Sequence, residues 1–114
     1  RVEDDLLNRI ILFMKDNINK NLNIDDFCLK FALSRTRLKN LFKEKMNSGI
    51  IQYFRYLKIE EAKRLIREEK YNFSQIAEIL GFSSVNYFSY SFKKMVNMSP
   101  SEYALSIKSK THIL

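Results

Sequence analysis

Apolar residues recur along this chain at steps of three and four, the spacing of one helix face, and short polar clusters with helix-capping chemistry break the pattern. Leu6, Leu7, Ile10, Ile11, Met14 and Ile18 form a stripe that predicts a first helix over about residues 3–17. Glu3, Asp4 and Asp5 stand in its first turn, where the helix dipole favours negative charge. Asn23 and Asp26 have capping-box spacing and open a second helix over 24–31. After the turn Ala32-Leu33-Ser34, Ser34 caps a third helix over 35–46, with Leu38, Leu41 and Phe42 as its buried face. Asn47 then serves as a left-handed stop. The longest helix runs from 49 or 50 to 68. It can bury Tyr53, Leu57, Ala62, Leu65 and Ile66, which leaves Arg55, Lys58, Lys63, Arg64 and Arg67 for water or phosphate.

The second half repeats these signals. Asn72 and Gln75 make another capping box and open a fifth helix over 73–80, packed through Ile76, Ala77, Ile79 and Leu80. Gly81 turns the chain, and Ser83 or Ser84 caps a sixth helix with Tyr87, Phe88, Ser91 and Phe92 on or near its buried seam. Asn97 marks the stop. Ser99, Pro100 and Glu102 start a seventh helix that is expected to reach about 107, with 108–114 as a frayed tail. Ser34 and Ser84, Leu38 and Phe88, Phe42-Lys43 and Phe92-Lys93, Asn47 and Asn97, and Tyr53 and Tyr103 all lie 50 residues apart. Cys28 and Ala77 lie 49 apart, so the second turn has gained one residue. The expected fold class is all-α: seven helices forming two homeodomain-like helix-turn-helix subunits joined by a long linker helix. The corresponding division is 1–48, 49–69, 70–107 and a tail at 108–114.

Charge then suggests a partner. The 114-residue chain carries a net charge of +7, yet residues 1–26 hold four bases against six acids. The positive excess therefore lies beyond the first helix, in the helix-turn-helix part. A basic balance in a small domain points to nucleic acid or another anionic surface. Hydrophobic residues make up 46% of the chain, enough for a core and too many for a disordered segment. Two Gly and one Pro argue against a turn-rich β protein. No apolar run reaches membrane-span length, so no membrane partner is expected. Cys28 is the sole cysteine, which excludes an intrachain disulfide and suits a cytoplasmic setting; its Ala-like position is expected to bury the thiol in the core. His112 is the sole histidine, no Cys/His cluster has zinc spacing, and two glycines cannot build a phosphate-cradling loop. No metal, cofactor or enzymatic activity is expected.

Ile76-Ala77, Gly81-Phe82, Tyr87-Phe88, Phe92-Lys93, Pro100 and Tyr103, preceded by Leu33-Ser34, Leu38, Phe42-Lys43, Tyr53, Ala62 and Leu65, resemble the DNA-binding domain of the AraC/XylS family of bacterial transcription regulators. The likeness covers roughly residues 22–107. It implies two helix-turn-helix units bridged by one long helix, reading adjacent major-groove segments on one face of double-stranded DNA. It also implies recruitment of RNA polymerase at promoters, most simply as an activator. The chain begins at Arg1 without Met, so a regulatory domain on the amino-terminal side is expected as well. Asn47 and Asn97 stand where the family usually has Gly, and Asn enters the left-handed region most readily after Gly. Lys58 replaces a usual linker Arg, whose bidentate contacts Lys does not copy. Tyr90 stands where Arg is common.

The family's base-facing positions fall on Thr36, Lys39 and Asn40 in the first unit and on Val85, Asn86, Ser89 and Tyr90 in the second. Asn can pair with adenine at two points, Lys with guanine acceptors, and Thr or Val methyls with the thymine methyl. Arg35, Arg37, Lys43, Lys93 and Lys94 are placed as phosphate contacts. Backbone amides at the starts of the second, fifth and seventh helices can add phosphate contacts. Residues 35–47 carry five bases and one acid, whereas 85–97 carry only Lys93 and Lys94, so the first unit is expected to grip harder. Two other readings account for the charge: a non-specific architectural DNA-binding protein, and a helical protein–protein adaptor whose basic face meets an acidic partner. Site preference on duplex DNA separates them.

Overall fold

The computed structural model describes the backbone of residues 2–113 and the side chains of residues 2–109. Among these residues it contains seven helices and no strand: α1 (Val2–Asp16), α2 (Ile24–Phe31), α3 (Arg35–Met46), α4 (Ile50–Glu68), α5 (Phe73–Ile79), α6 (Val85–Val96) and α7 (Pro100–Ile113). The caps read from sequence set the boundaries. The Asn23 side chain accepts from the Asp26 N–H at 3.0 Å, and the Asp26 carboxylate accepts from the Asn23 N–H at 2.8 Å. Asn72 and Gln75 make the same reciprocal pair at 2.8 and 2.9 Å. Ser34 and Ser84 accept from the N–H groups of Arg37 and Tyr87. Asn47 and Asn97 end their helices at φ 51° and 65°, in the left-handed region where a compact amide side chain is tolerated.

The chain divides into two compact units, residues 1–57 and 58–114, and the division falls inside α4. In the first unit, Leu7, Ile10 and Met14 of α1 pack with Phe27, Leu38, Leu41 and Phe42, and with Ile50 and Phe54 from the first half of α4. Phe13, Phe27, Phe31 and Phe54 meet edge to face at 5.5–5.8 Å between centroids. In the second unit, the buried residues are Ile59, Ala62, Leu65 and Ile66 of α4, with Ile76, Ala77, Leu80, Phe88 and Phe92. Phe82, Phe88, Phe92 and Tyr103 form a chain of ring contacts from the α5–α6 turn to α7.

Each unit is therefore a brace helix plus a helix-turn-helix. Leu7, Ile10 and Met14 of α1 match Ile59, Ala62 and Ile66 of α4, each 52 residues on and each buried. The repeat thus extends into the brace helices, with a different offset because the link from α4 to α5 is three residues shorter than that from α1 to α2.

Four expectations need correction. α7 continues through Ile113 instead of fraying after 107, because nothing after Pro100 breaks a helix and Lys108 pairs with Glu69 at 3.6 Å. Cys28 is half-buried at the edge of the core, not enclosed by it. Ile79, the last residue of α5, is 36% exposed, since the helix ends there and packs through Ile76, Ala77 and Leu80. Tyr87 is 40% exposed, lying beside the Phe82 ring at 6.0 Å rather than in the seam.

The two turns predict opposite responses to one substitution. Ala32 and Gly81 are matching turn residues at φ 54° and 71°, and a Cβ in this region costs about 1 kcal/mol. Ala32→Gly should raise the unfolding free energy by about that amount, and Gly81→Ala should lower it similarly, both read by urea titration.

Candidate nucleic-acid interface

Burial of one side of each third helix decides what faces outward. Leu38, Leu41 and Phe42 are fully buried on α3. The helical period then leaves Thr36, Lys39, Asn40 and Lys43 on one exposed stripe, flanked by Arg35 and Arg37. On α6, Phe88, Ser91 and Phe92 are buried, and Asn86, Tyr90, Lys93 and Lys94 are exposed. Val85 and Ser89 are half-buried at the edge of that stripe. The two stripes coincide position for position at an offset of 50: Thr36 with Asn86, Lys39 with Ser89, Asn40 with Tyr90, Lys43 with Lys93. Both helices present these residues from an N-terminus held by a serine cap, the end that approaches base edges when such a helix lies in a major groove.

Tyr90 stands clear of the core at 60% exposure. Its ring carries the Lys94 ammonium at 5.6 Å from the centroid, and Lys94 Nζ donates to Tyr90 Oη at 3.5 Å. The pair makes a flat, cation-backed surface in place of a forked guanidinium.

Carboxylates from neighbouring helices hold several of the cations. Arg35 donates two hydrogen bonds to Asp25 of α2, at 2.9 and 2.8 Å. Arg37 pairs with Glu3 of α1 at 2.9 Å, and Lys45 pairs with Asp4 at 3.0 Å. On α6, Lys93 pairs with Glu102 at 3.3 Å. The Arg35 guanidinium holds the Asp25 carboxyl below the usual range, and Lys45 does the same for Asp4. Glu102 is lowered first by accepting the Ser99 N–H and then by Lys93. These pairs are exposed, and water and salt screen exposed pairs so that each holds only weakly. An incoming phosphate can therefore replace the carboxylate.

Sequence reasoning assigned Glu3 and Asp4 to the dipole of α1 and overlooked this second role. The available signal was the juxtaposition of an acidic first helix with a third helix carrying five bases. One linker residue was also misplaced. Lys58, assigned to water or phosphate, is only 5% exposed and donates to the Leu80 carbonyl at the end of α5. Its place on the buried side of α4, one residue before Ile59, is what encloses it.

No group of His, Cys, Asp or Glu able to hold a metal ion occurs among the described residues. No helix among them is long and apolar enough to cross a membrane.

Comparison with known proteins places these features. Residues 27–106 match a family described as a helix-turn-helix domain. The chain is similar to the HTH-type transcriptional activator RhaR of Yersinia pseudotuberculosis, at 32% identity over 97 residues, covering 85% of this chain and 33% of the relative. It is also similar to the probable transcriptional regulator LumQ of Photobacterium leiognathi, at 29% identity over 104 residues, covering 90% of this chain and 42% of that one. The chain thus spans well under half the length of these relatives. Among solved structures, a transcriptional regulator from Chromobacterium violaceum of the AraC-type DNA-binding-domain class aligns with a TM-score of 0.77 and 28% identity, covering 84% of this chain and 86% of that one. The DNA-binding domain of AdpA, solved with a target DNA, shares the fold at a TM-score of 0.85 and 17% identity, covering 91% of this chain and 94% of its own.

The ion pairs make a prediction about affinity. Replacing Glu3 by Gln and Asp4 by Asn frees Arg37 and Lys45, so duplex binding at low salt should tighten by about two- to fivefold. Fluorescence anisotropy against a labelled duplex, repeated over a salt series, should show this gain shrinking as salt screens the charges.

Proposed function

We propose, because the chain belongs to the AraC-type helix-turn-helix family, that it binds double-stranded promoter DNA in a sequence-specific manner, with α3 and α6 entering two major-groove segments. Thr36, Lys39 and Asn40 read bases in one segment, and Val85, Asn86, Ser89 and Tyr90 read bases in the other. Arg35, Arg37, Lys43, Lys93 and Lys94 hold phosphates and set register. What supports this reading is the pair of exposed stripes at one spacing, each raised on a buried apolar face and each cationic at the end away from the cap.

The two units carry unequal parts of the work. The first offers Asn40 for a bidentate contact with adenine and Lys39 for guanine acceptors. The second offers Asn86 for adenine and the Val85 methyls for thymine, with Ser89 and Tyr90 beside them, and Lys94, held against the Tyr90 ring, for the backbone. The same proposal includes activation through RNA polymerase, by analogy with the activator named among the relatives. It also places regulatory input in a further domain of a longer protein, as the greater length of the relatives suggests. The work assigned to these residues is recognition in the cytoplasm, without catalysis.

Selection from a random duplex pool at roughly physiological salt tests the reading. The expected result is two short preferred blocks about one helical turn, ~10 base pairs, apart. A bound pool without enrichment would replace this reading with the architectural one, and absence of duplex binding even at low salt would favour an adaptor. On the selected site, Asn40→Ala and Asn86→Ala should each cost about 1–3 kcal/mol, and each should relax preference in one block only. With five phosphate contacts, log affinity against log salt should fall with a slope of about −4.5.

A further inference from the structure

We propose that Lys58 is the positioning residue of the second recognition helix: from the brace helix α4 it clasps the end of α5 and the following turn, and so fixes the direction in which α6 presents Asn86 and Tyr90. The inference rests on the two-helix reading above for its effect on DNA, but the clasp itself can be tested on the free protein.

The two turns differ by one residue. Leu33 N–H donates to the Cys28 carbonyl at 3.1 Å, and Phe82 N–H donates to the Ala77 carbonyl at 2.9 Å. These are the same bond, 49 residues apart. From Leu33 the chain passes directly to the cap Ser34, whereas from Phe82 it passes through Ser83 before reaching Ser84. Ser83 is the inserted residue, and it adds two backbone dihedrals between α5 and α6. A longer turn leaves the entry angle of the following helix less determined unless something outside the turn holds it.

Lys58 is placed to do so. Its ammonium donates to the carbonyl of Leu80, a fully buried residue at the end of α5 where carbonyls lack an N–H from a further helical turn. The same ammonium stands 5.9 Å from the centroid of the Phe82 ring, which in turn packs edge to face on Phe88 of α6 at 5.3 Å. One cation thus touches the last carbonyl before the turn and the aromatic ring that joins the turn to α6. A positive charge is also favoured at a helix C-terminus.

The first unit lacks this arrangement. With the brace helices aligned through Leu7 and Ile59, the residue matching Lys58 is Leu6, a half-buried leucine packed on the core. At this matching position the first brace helix carries an apolar side chain and the second a charge. A charged group at 5% exposure carries a desolvation cost, and burial pushes the Lys58 ammonium down to about 8 from its ordinary 10.5. A lysine merely filling the space could be replaced by an apolar residue without that cost.

The test uses the whole chain with Lys58→Met and Lys58→Arg, read by amide hydrogen exchange. If Lys58 is the clasp, the hydrogen-bonded amides of Phe82, Tyr87 and Phe88 in Lys58→Met exchange faster by about tenfold, while those of Leu33, Arg37 and Leu38 keep their rates. Lys58→Arg restores the protection. Unchanged exchange at Phe82, Tyr87 and Phe88 in Lys58→Met would overturn the proposal, as would loosening of both units together. Should Lys58→Met fail to fold, the wild-type chain still decides by NMR titration. The Lys58 ε-methylene and the Phe82 resonances are expected to move together with a midpoint near 8. Phe82 resonances that stay unmoved as Lys58 titrates would overturn the clasp. On the selected duplex, Lys58→Met should lose preference at the second block and retain it at the first. A wild-type chain with no second-block preference would count against the two-helix reading, while the exchange and titration results would still judge the clasp.

Discussion

The apolar faces of α3 and α6 govern what each helix presents outward. Burying Leu38, Leu41 and Phe42 in one unit, and Phe88, Ser91 and Phe92 in the other, fixes the rotation of each helix about its axis. At 3.6 residues per turn that rotation leaves no freedom in which side chains face out. Each buried Leu or Phe contributes roughly 1.5–3 kcal/mol of burial, far more than an exposed polar residue gains in any orientation. The exposed stripes are therefore by-products of core packing, and the residues on them can vary without cost to the fold. Substitutions such as Tyr90 for a more usual Arg belong to this freedom: the residue is well exposed, and Phe88 and Phe92 anchor the helix without it.

Helix boundaries were legible in the sequence because each rests on local chemistry. The Asn23–Asp26 and Asn72–Gln75 boxes, the serine caps and the left-handed Asn47 and Asn97 involve atoms no more than a few residues apart. The apolar faces were legible by period. What escaped depended on atoms distant in sequence. The Arg37–Glu3 and Lys45–Asp4 pairs span the whole first unit, and the Lys58–Leu80 bond crosses from the brace to the turn. Periodicity cannot say whether a lysine at the edge of an apolar stripe turns in or out, because its long stem suits either. Tyr87 shows the same limit from the other side: its type suggested core, and its place in the first turn of α6 left it partly in water.

The ion pairs also bear on the expected imbalance between the units. Counting charge gives α3 a large advantage over α6. In the structure, however, Arg35, Arg37 and Lys45 face carboxylates of α2 and α1. The field that a phosphate meets is the sum of both signs, so the first unit is less cationic in effect than its own helix suggests. Thr36 and Asn40 are neutral, and these pairs leave their hydrogen-bonding groups alone.

Phosphate contacts are made on any duplex, specific or not, so weakening them lowers both affinities by the same factor. Discrimination between sites is set by the base-facing residues and is left unchanged. If Arg35 and Arg37 hold phosphates as proposed, the acids of α1 and α2 paired with them would act on occupancy and residence without acting on site choice. Position is the matter of the turn and its clasp, since a base contact fails when the helix carrying it is rotated by a small angle. On the proposed reading, charge would set how long the protein stays on DNA, the stripes would set where, and the packing behind each turn would set whether the stripe meets the bases at all.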